Sequence, residues 1–389
     1  MNELVEVLEA AFRAKFGRRD DRIVVRSPGR VNLIGEHTDY NEGFVLPASV
    51  DKAMILVVAP RTDSQYHFVS ADLRDQVSGT MDSLRRSDKG WPNYLLGVLD
   101  EFDKLGKRIT GCEVVFGADI PIGAGMSSSA AIECGFAFAL NELFGIGLGK
   151  LDLVKLGQRA ENKFVGVQCG IMDQFVNVFG KDRKVLKIDC RSLEFEYIPF
   201  ERPDLNIVLC ETESKRSLAS SEYNVRRQQC EAGVAILRRH AKEIVSLRDV
   251  RLDLLREHKS ELAPIIYQRC EFVVQENGRV LAACEDLRRN DFESFGRKMF
   301  QSHAGLSQKY QVSSADLDFL VEVAASIGGV LGSRMMGAGF GGCTINLVEQ
   351  SRVGDFVQTV RDRYQQRSGK ANNVYVTRIE SGTGSVQRP

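Results

Sequence analysis

Glu36, His37 and Asp39 stand within four residues of one another in RVNLIGEHTDYNEGFVLP, residues 30–47. A carboxylate, an imidazole and a second carboxylate at this spacing offer converging acceptors and donors, which suits the holding of a polyol. Turn chemistry accounts for Asn41 and Gly43. It does not account for three titratable groups beside the apolar run VNLIG, where burial is costly unless the groups are used.

A second set lies in PIGAGMSSSAA, residues 121–131. It follows the strand-like CEVVF and leads into the helix-forming AAIECGFAFAL, so its backbone N–H groups fall at a helix N-terminus, a natural seat for phosphate. Gly123, Ala124 and Gly125 allow close approach of the backbone. Met126 follows, and Ser127, Ser128 and Ser129 add hydroxyls for phosphate oxygens or a metal. A plain N-cap with spare serines is the alternative for this segment alone. Two other glycine-rich segments fail as nucleotide motifs. GIGLGKL (145–151) has three residues between the relevant glycines and Leu151 after the Lys, so it is not a Walker loop. GAGFGG (337–342) fits GxGxxG, but CTINLV follows it and reads as a strand where a dinucleotide fold needs a helix. A tight turn is expected there.

Acid chemistry comes from Asp173, in CGIMDQF, and Glu161, in GQRAENKFVG. An aspartate flanked by Ile171, Met172 and Phe175 costs several kcal/mol unless it is paired or used, or anchors a turn. Glu161 by its own context reads as a surface charge on a helix. Tyr223, in SSEYNVRR, reads alone as helix packing.

The elements that must position these groups alternate between strand and helix patterns, giving a mixed α/β protein without repeats. Strands are predicted in RIVVR (22–26), MILVV (54–58), CEVVF (112–116), KVLKI (184–188), NIVLC (206–210), TINLV (344–348) and NVYVTRI (373–379). Helices are predicted over 93–105, 129–143, 151–165, 221–239, 264–289 and 353–364. With 389 residues, 43% of them hydrophobic, the chain can bury a large core as two domains or one two-lobed body, with a boundary near 199–203. The 52 basic and 52 acidic residues cancel, which argues against a nucleic-acid or anionic-membrane partner. No apolar stretch approaches the ~20 residues that span a bilayer. The N-terminus carries acids and helical spacing of Leu4, Leu8, Phe12 and Phe16 in place of a signal peptide, so a cytosolic protein is expected. Nine cysteines, none in a CxxC pair, read as reduced thiols.

Together, SPGRVNLIGEHTDYNEG, PIGAGMSSSA, CGIMDQF and SRMMGAGFGGC resemble the small-molecule kinases that include galactokinase, homoserine kinase, mevalonate kinase and phosphomevalonate kinase. Within that superfamily GRVNLIGEHTDYNEG resembles the galactokinase signature almost letter for letter, and the likeness continues through WPNYLLGV, CRSLE, SLASSEYNVRRQQC and ESFGRKMFQSH. The resemblance implies a two-lobed α/β fold with the active site between an N-terminal lobe (1–200) and a C-terminal lobe (201–389), in a cytoplasmic monomer. It implies ATP-dependent phosphorylation of the anomeric C1 hydroxyl of D-galactose, giving α-D-galactose 1-phosphate and ADP. Asp173 would accept the C1 hydroxyl proton, and Arg30 would keep Asp173 ionised and balance charge during transfer. Glu36, His37 and Asp39 would hold the ring hydroxyls, with Asp39 on the axial 4-hydroxyl and the backbone of Gly170 and the hydroxyl of Tyr223 completing the pocket. The ATP phosphates would lie over residues 123–129, with Mg²⁺ held by Ser129 and Glu161. Trp91 and Tyr94 are aromatic candidates for the adenine pocket.

The chain departs from the family pattern at Met126, at Met336 and Ala338, and at Glu211, Thr212 and Glu213. These departures keep two alternatives open: a kinase for N-acetylgalactosamine or another hexose, and a non-catalytic galactose sensor. The presence of Arg30, Ser127, Ser128, Ser129 and Asp173 speaks against the sensor.

Overall fold

The computed structural model describes residues 2–121, 125–212 and 219–386. The first strands are β1 (Ile23–Asn32), β2 (Phe44–Val45), β3 (Pro47–Pro60), β4 (Gln65–Ser70), β5 (Asp75–Thr80) and β6 (Cys112–Ala118). There follow β7 (Lys184–Asp189), β8 (Phe195–Pro199), β9 (Leu205–Glu211), β10 (Val330–Met336), β11 (Cys343–Glu349), β12 (Val374–Thr377) and β13 (Gly384–Ser385). Helices α1 (Asn2–Phe16), α2 (Pro92–Lys104), α3 (Ser128–Leu143), α4 (Lys150–Arg159) and α5 (Met172–Phe179) belong to the first half of the chain. The second half supplies α6 (Ala219–Leu237), α7 (Leu252–Glu257), α8 (Pro264–Arg288), α9 (Phe292–Ala304), α10 (Ala315–Ala325) and α11 (Val353–Ser368).

The six-stranded sheet runs β13-β1-β3-β6-β4-β5, the four-stranded sheet β10-β11-β9-β12, and a small third sheet β2-β7-β8. β1 and β3 pair antiparallel from Ile23↔Val58 to Asn32↔Pro47, longer than the predicted runs because pairing continues through a register shift between Pro28 and Arg30. A bulge at that point bends the strand and re-aims its side chains, and Arg30 is therefore mounted on a strand. Gly29 has a steric reason: a Cβ there would lie 2.9 Å from the Met126 carbonyl oxygen, and the Arg30 N–H donates to that same oxygen at 3.1 Å.

One continuous core spans both halves. Leu56, Phe68 and Phe136 join Val280, Phe295 and Ile345 in a single buried cluster. Each predicted strand and helix is present, with one change of type. The helix predicted over 151–165 is α-helical only to Arg159, and Ala160–Val165 is a π-helical turn closed by Gly166 in the left-handed region. β2, β4, β5, β8, β10 and β13 and the helices α5, α7, α9 and α10 are additional elements. GAGFGG forms the turn between β10 and β11, and Phe340 is held there at φ 58°. Among the described residues no helix is long and apolar enough to cross a membrane.

Candidate active site

A cavity of about 590 Å³ gathers the residues singled out above. Arg30 enters from β1, and Glu36, His37 and Asp39 from the loop that follows it. Ser127, Ser128 and Ser129 sit at the start of α3, Glu161 on the π turn, Gly170 and Asp173 at the start of α5, and Tyr223 on α6. Gly125 and Met126 also line it, whereas Gly123 and Ala124 lie outside the described residues. Tyr94 lines the cavity; Trp91 does not, its ring packing on Phe116 and its indole N–H donating to Asp75 at 3.0 Å.

Arg30 and Asp173 form a bidentate pair. Nε donates to Oδ1 at 2.7 Å and Nη2 to Oδ2 at 2.8 Å, while Nη1 donates to the Gly125 carbonyl. The guanidinium is 7% exposed, and the Asp173 side chain is 25% exposed, open enough to meet a substrate hydroxyl. Burial opposes the Arg30 charge, but the Asp173 carboxylate more than compensates and raises its pKa. The Ser127 hydroxyl also donates to Asp173 Oδ2. Ser127 holds φ 56°, ψ 57°, a left-handed conformation that a serine adopts at a cost.

Around the acidic loop several contacts come from the second half of the chain. Glu36 Oε1 accepts from Arg334 Nη2 at 3.1 Å and from the Gly337 N–H at 2.8 Å. His37 Nε2 faces the Ala338 carbonyl at 3.2 Å, so that nitrogen carries the hydrogen. Nδ1 then accepts from the Tyr40 hydroxyl at 2.9 Å, Tyr40 accepts from Tyr310 at 2.6 Å, and Tyr310 accepts from the Cys230 thiol at 3.3 Å. Burial pushes the His37 imidazole down to about 4, leaving it neutral at physiological pH. The same desolvation pushes the Asp39 carboxyl up to about 6. Gly170 packs its Cα against Asp39, where a Cβ would collide with Oδ2. The Tyr223 ring completes this wall, 5.6 Å from His37 and 5.0 Å from Tyr40.

Glu161 is buried, unlike the surface charge that its helical context suggests. It accepts from Gln174 Nε2 at 2.7 Å and from the Cys169 thiol at 3.3 Å, and Ser129 hydrogen-bonds to it as well. Burial, then Asp173, raises its pKa. Nearby Glu133 is 0% exposed, and burial holds it well above the usual carboxyl range.

Residues 10–60 match the galactokinase galactose-binding signature, 93–181 the GHMP kinases N terminal domain and 283–366 the GHMP kinases C terminal domain. The galactokinase of Roseiflexus sp. is 44% identical over 94% of this chain and 93% of its own length, and that of Clostridium acetobutylicum 38% over 99% and 100%. The chain belongs to the galactokinase family. The crystal structure of Lactococcus lactis galactokinase complexed with galactose superposes on it with a TM-score of 0.94, at 34% identity over 98% of this chain and 100% of that one. Methanococcus jannaschii mevalonate kinase shares the fold at 17% identity, with a TM-score of 0.66 over 94% of this chain and 100% of its own.

In this galactokinase-family chain several site residues escape motif reading. Arg334 is fully buried, donating to the Leu33 carbonyl at 2.7 Å as well as to Glu36. Its one sequence signal is an arginine inside an apolar strand. Tyr310 and Cys230 carried no signal, since each packs as an ordinary core residue, and Gln174 is a buried amide whose partner Glu161 lies on a separate turn. Of the departures from the family pattern, Met126 and Met336 belong to the core, and Ala338 acts through its carbonyl. Glu211 accepts from Tyr375 at 2.9 Å and from Asn373 at 3.1 Å; neither it nor Thr212 lines the cavity, and Glu213 lies outside the described residues.

Proposed function

We propose that the chain transfers the γ-phosphoryl group of ATP to the C1 hydroxyl of D-galactose, forming α-D-galactose 1-phosphate and ADP. The observation that carries this reading is the bidentate Arg30–Asp173 pair, set in one cavity with an acidic sugar loop and a serine-rich helix N-terminus. Asp173 takes the proton as the C1 oxygen bonds to phosphorus and the bridging oxygen leaves with ADP. Arg30 holds that carboxylate ionised and places positive charge beside the transferring group. Ser127 orients Asp173 through its hydroxyl.

Glu36, His37 and Asp39 hold the ring hydroxyls with the Gly170 backbone and Tyr223, and Asp39 reads the axial 4-hydroxyl. A site with partners for that group leaves them unpaired when the epimer binds, which discriminates strongly. ATP lays its phosphates over the 123–129 loop, with Tyr94 toward the base. Glu161 and Ser129 suit Mg²⁺: Glu161 is buried, near Asp173, and without a salt bridge among the described residues. Mg²⁺ takes few protein oxygens, and when bound it supplies charge to the phosphate oxygens. The two family domain matches fall on either side of 200/201, which supports division into lobes 1–200 and 201–389. On this reading the protein acts as a monomer in the cytoplasm.

A coupled ADP-release assay with Mg·ATP, run across galactose, glucose, talose and N-acetylgalactosamine, tests the assignment. Turnover confined to galactose is expected. Preference for another sugar, or galactose binding without turnover, overturns it.

A further inference from the structure

Away from the cavity, two of the chain's five histidines converge on one carboxylate. His240 lies in the turn after α6, His258 at the C-terminal cap of α7, and Glu261 at the end of the 3₁₀ turn Lys259–Glu261. His240 Nε2 donates to Glu261 Oε2 at 2.8 Å and His258 Nδ1 to Oε1 at 2.9 Å. The imidazoles stack at 17° with centroids 3.6 Å apart, and the three donor atoms lie within 4.8 Å of one another.

Two cations close by in sequence, Arg238 and Lys259, are engaged elsewhere. Arg238 donates to the Ile244 carbonyl at 2.6 Å and the Val245 carbonyl at 3.0 Å, and the Lys259 ammonium lies over the Tyr267 ring at 5.0 Å. Each ring therefore aims one nitrogen at the carboxylate. If each imidazole carries its hydrogen on the other nitrogen, two ring lone pairs and a carboxylate oxygen stand within 4.8 Å of one another without any change in net protonation. Ligand bonds to zinc run about 2.0–2.2 Å, so donors around a tetrahedral ion stand roughly 3.3–3.5 Å apart. Reaching that from 4.8 Å takes a splay of the two rings, and His240, 30% exposed on a turn, has room to rotate.

We propose that His240, His258 and Glu261 form a site for a borderline divalent metal of the zinc class, with water completing the tetrahedron. Two imidazoles and one carboxylate favour Zn²⁺ or Co²⁺ over Mg²⁺ and Ca²⁺, which prefer all-oxygen shells. The site is thus chemically separate from the phosphate-binding cavity. Occupancy would tie the turn after α6 to the end of α7.

The test uses the full chain, stripped with chelator and held in excess Mg²⁺. Zn²⁺ is titrated against a chromophoric chelator, and Co²⁺ is followed by absorption. One equivalent of Zn²⁺ is expected, with visible Co²⁺ bands and no thiolate charge-transfer band. His240→Gln and His258→Gln should each lower Zn²⁺ affinity by at least an order of magnitude and leave galactose-dependent turnover unchanged, which also reports that the variants fold. No Zn²⁺ uptake, a thiolate band, or a double variant that binds like the parent chain overturns the proposal.

Discussion

The Asp39 carboxyl is pushed up to about 6, first by burial and then by Asp173 and Glu36, from 3.8 in an unstructured chain. Between those values the folded protein holds a proton that the unfolded chain has lost. The resulting stability is complete below about 3.8 and is lost as pH rises through about 6. At neutral pH the cavity therefore carries an anion that its burial disfavours, and on the proposed reading a sugar hydroxyl would relieve it. Asp39→Asn is expected to raise the Tm of the ligand-free protein by several degrees in a thermal melt. It should also raise the galactose KM at least tenfold, by the logic of an unpaired buried group, leaving that for ATP nearly unchanged. In the parent chain, the galactose KM should climb as pH falls through about 6. Asp173→Asn tests the other carboxylate: a loss in kcat of roughly 10²–10⁴-fold, with the near-ultraviolet circular dichroism preserved. Near-normal turnover in that folded variant would remove Asp173 from its role.

The relay from Cys230 through Tyr310 and Tyr40 to His37 is a property of elements. It joins α6, the π turn Gly305–Tyr310, the acidic loop and the β10–β11 turn in one donor direction. Tyr310→Phe removes the hydroxyl that donates to Tyr40 and accepts from Cys230, leaving Tyr40 without its donor and less firmly held against His37, whose tautomer the Ala338 carbonyl still fixes. The expected outcome is a several-fold higher galactose KM at unchanged kcat, with about 1 kcal/mol lost in urea unfolding. Such wiring explains what the sequence made legible. Clustered motifs disclosed Arg30, Asp173 and the acidic loop, because titratable groups beside apolar runs are costly unless used. Strong β-branched runs disclosed β3, β6, β9 and β11. Glu161 looked solvent-facing because the α-helical period was continued past Arg159, where the π turn rotates the register and buries it. The β4–β5 hairpin, QYHFVS and DQVSGT, lacks a clean apolar alternation, and α5 is only two turns long. Arg334 and Tyr310 needed the two halves of the chain brought together before their partners Glu36 and Tyr40 could be known.

At the scale of the molecule, the chain's end is stitched into its beginning. β13 pairs with β1 at Val25↔Ser385 and Arg26↔Gly384. Buried Arg26 donates to the Ser381 carbonyl at 2.8 Å, and Thr383 donates to Asn177 Oδ1 at 2.6 Å, on the same helix as Asp173. Removing residues 380–389 should take from Arg26 Nη1 its carbonyl acceptor and from Asn177 Oδ1 one of its donors, at about 1–3 kcal/mol each. A lower Tm and a lower kcat, measured on the truncated chain, are expected together. The stitch also sets a schedule for birth. The ~350 residues between β1 and β13 take roughly 20–70 s to synthesise at ribosomal rates. For that interval the outer edge of β1 has no native neighbour, and the nascent chain must keep it from other strands until β13 emerges.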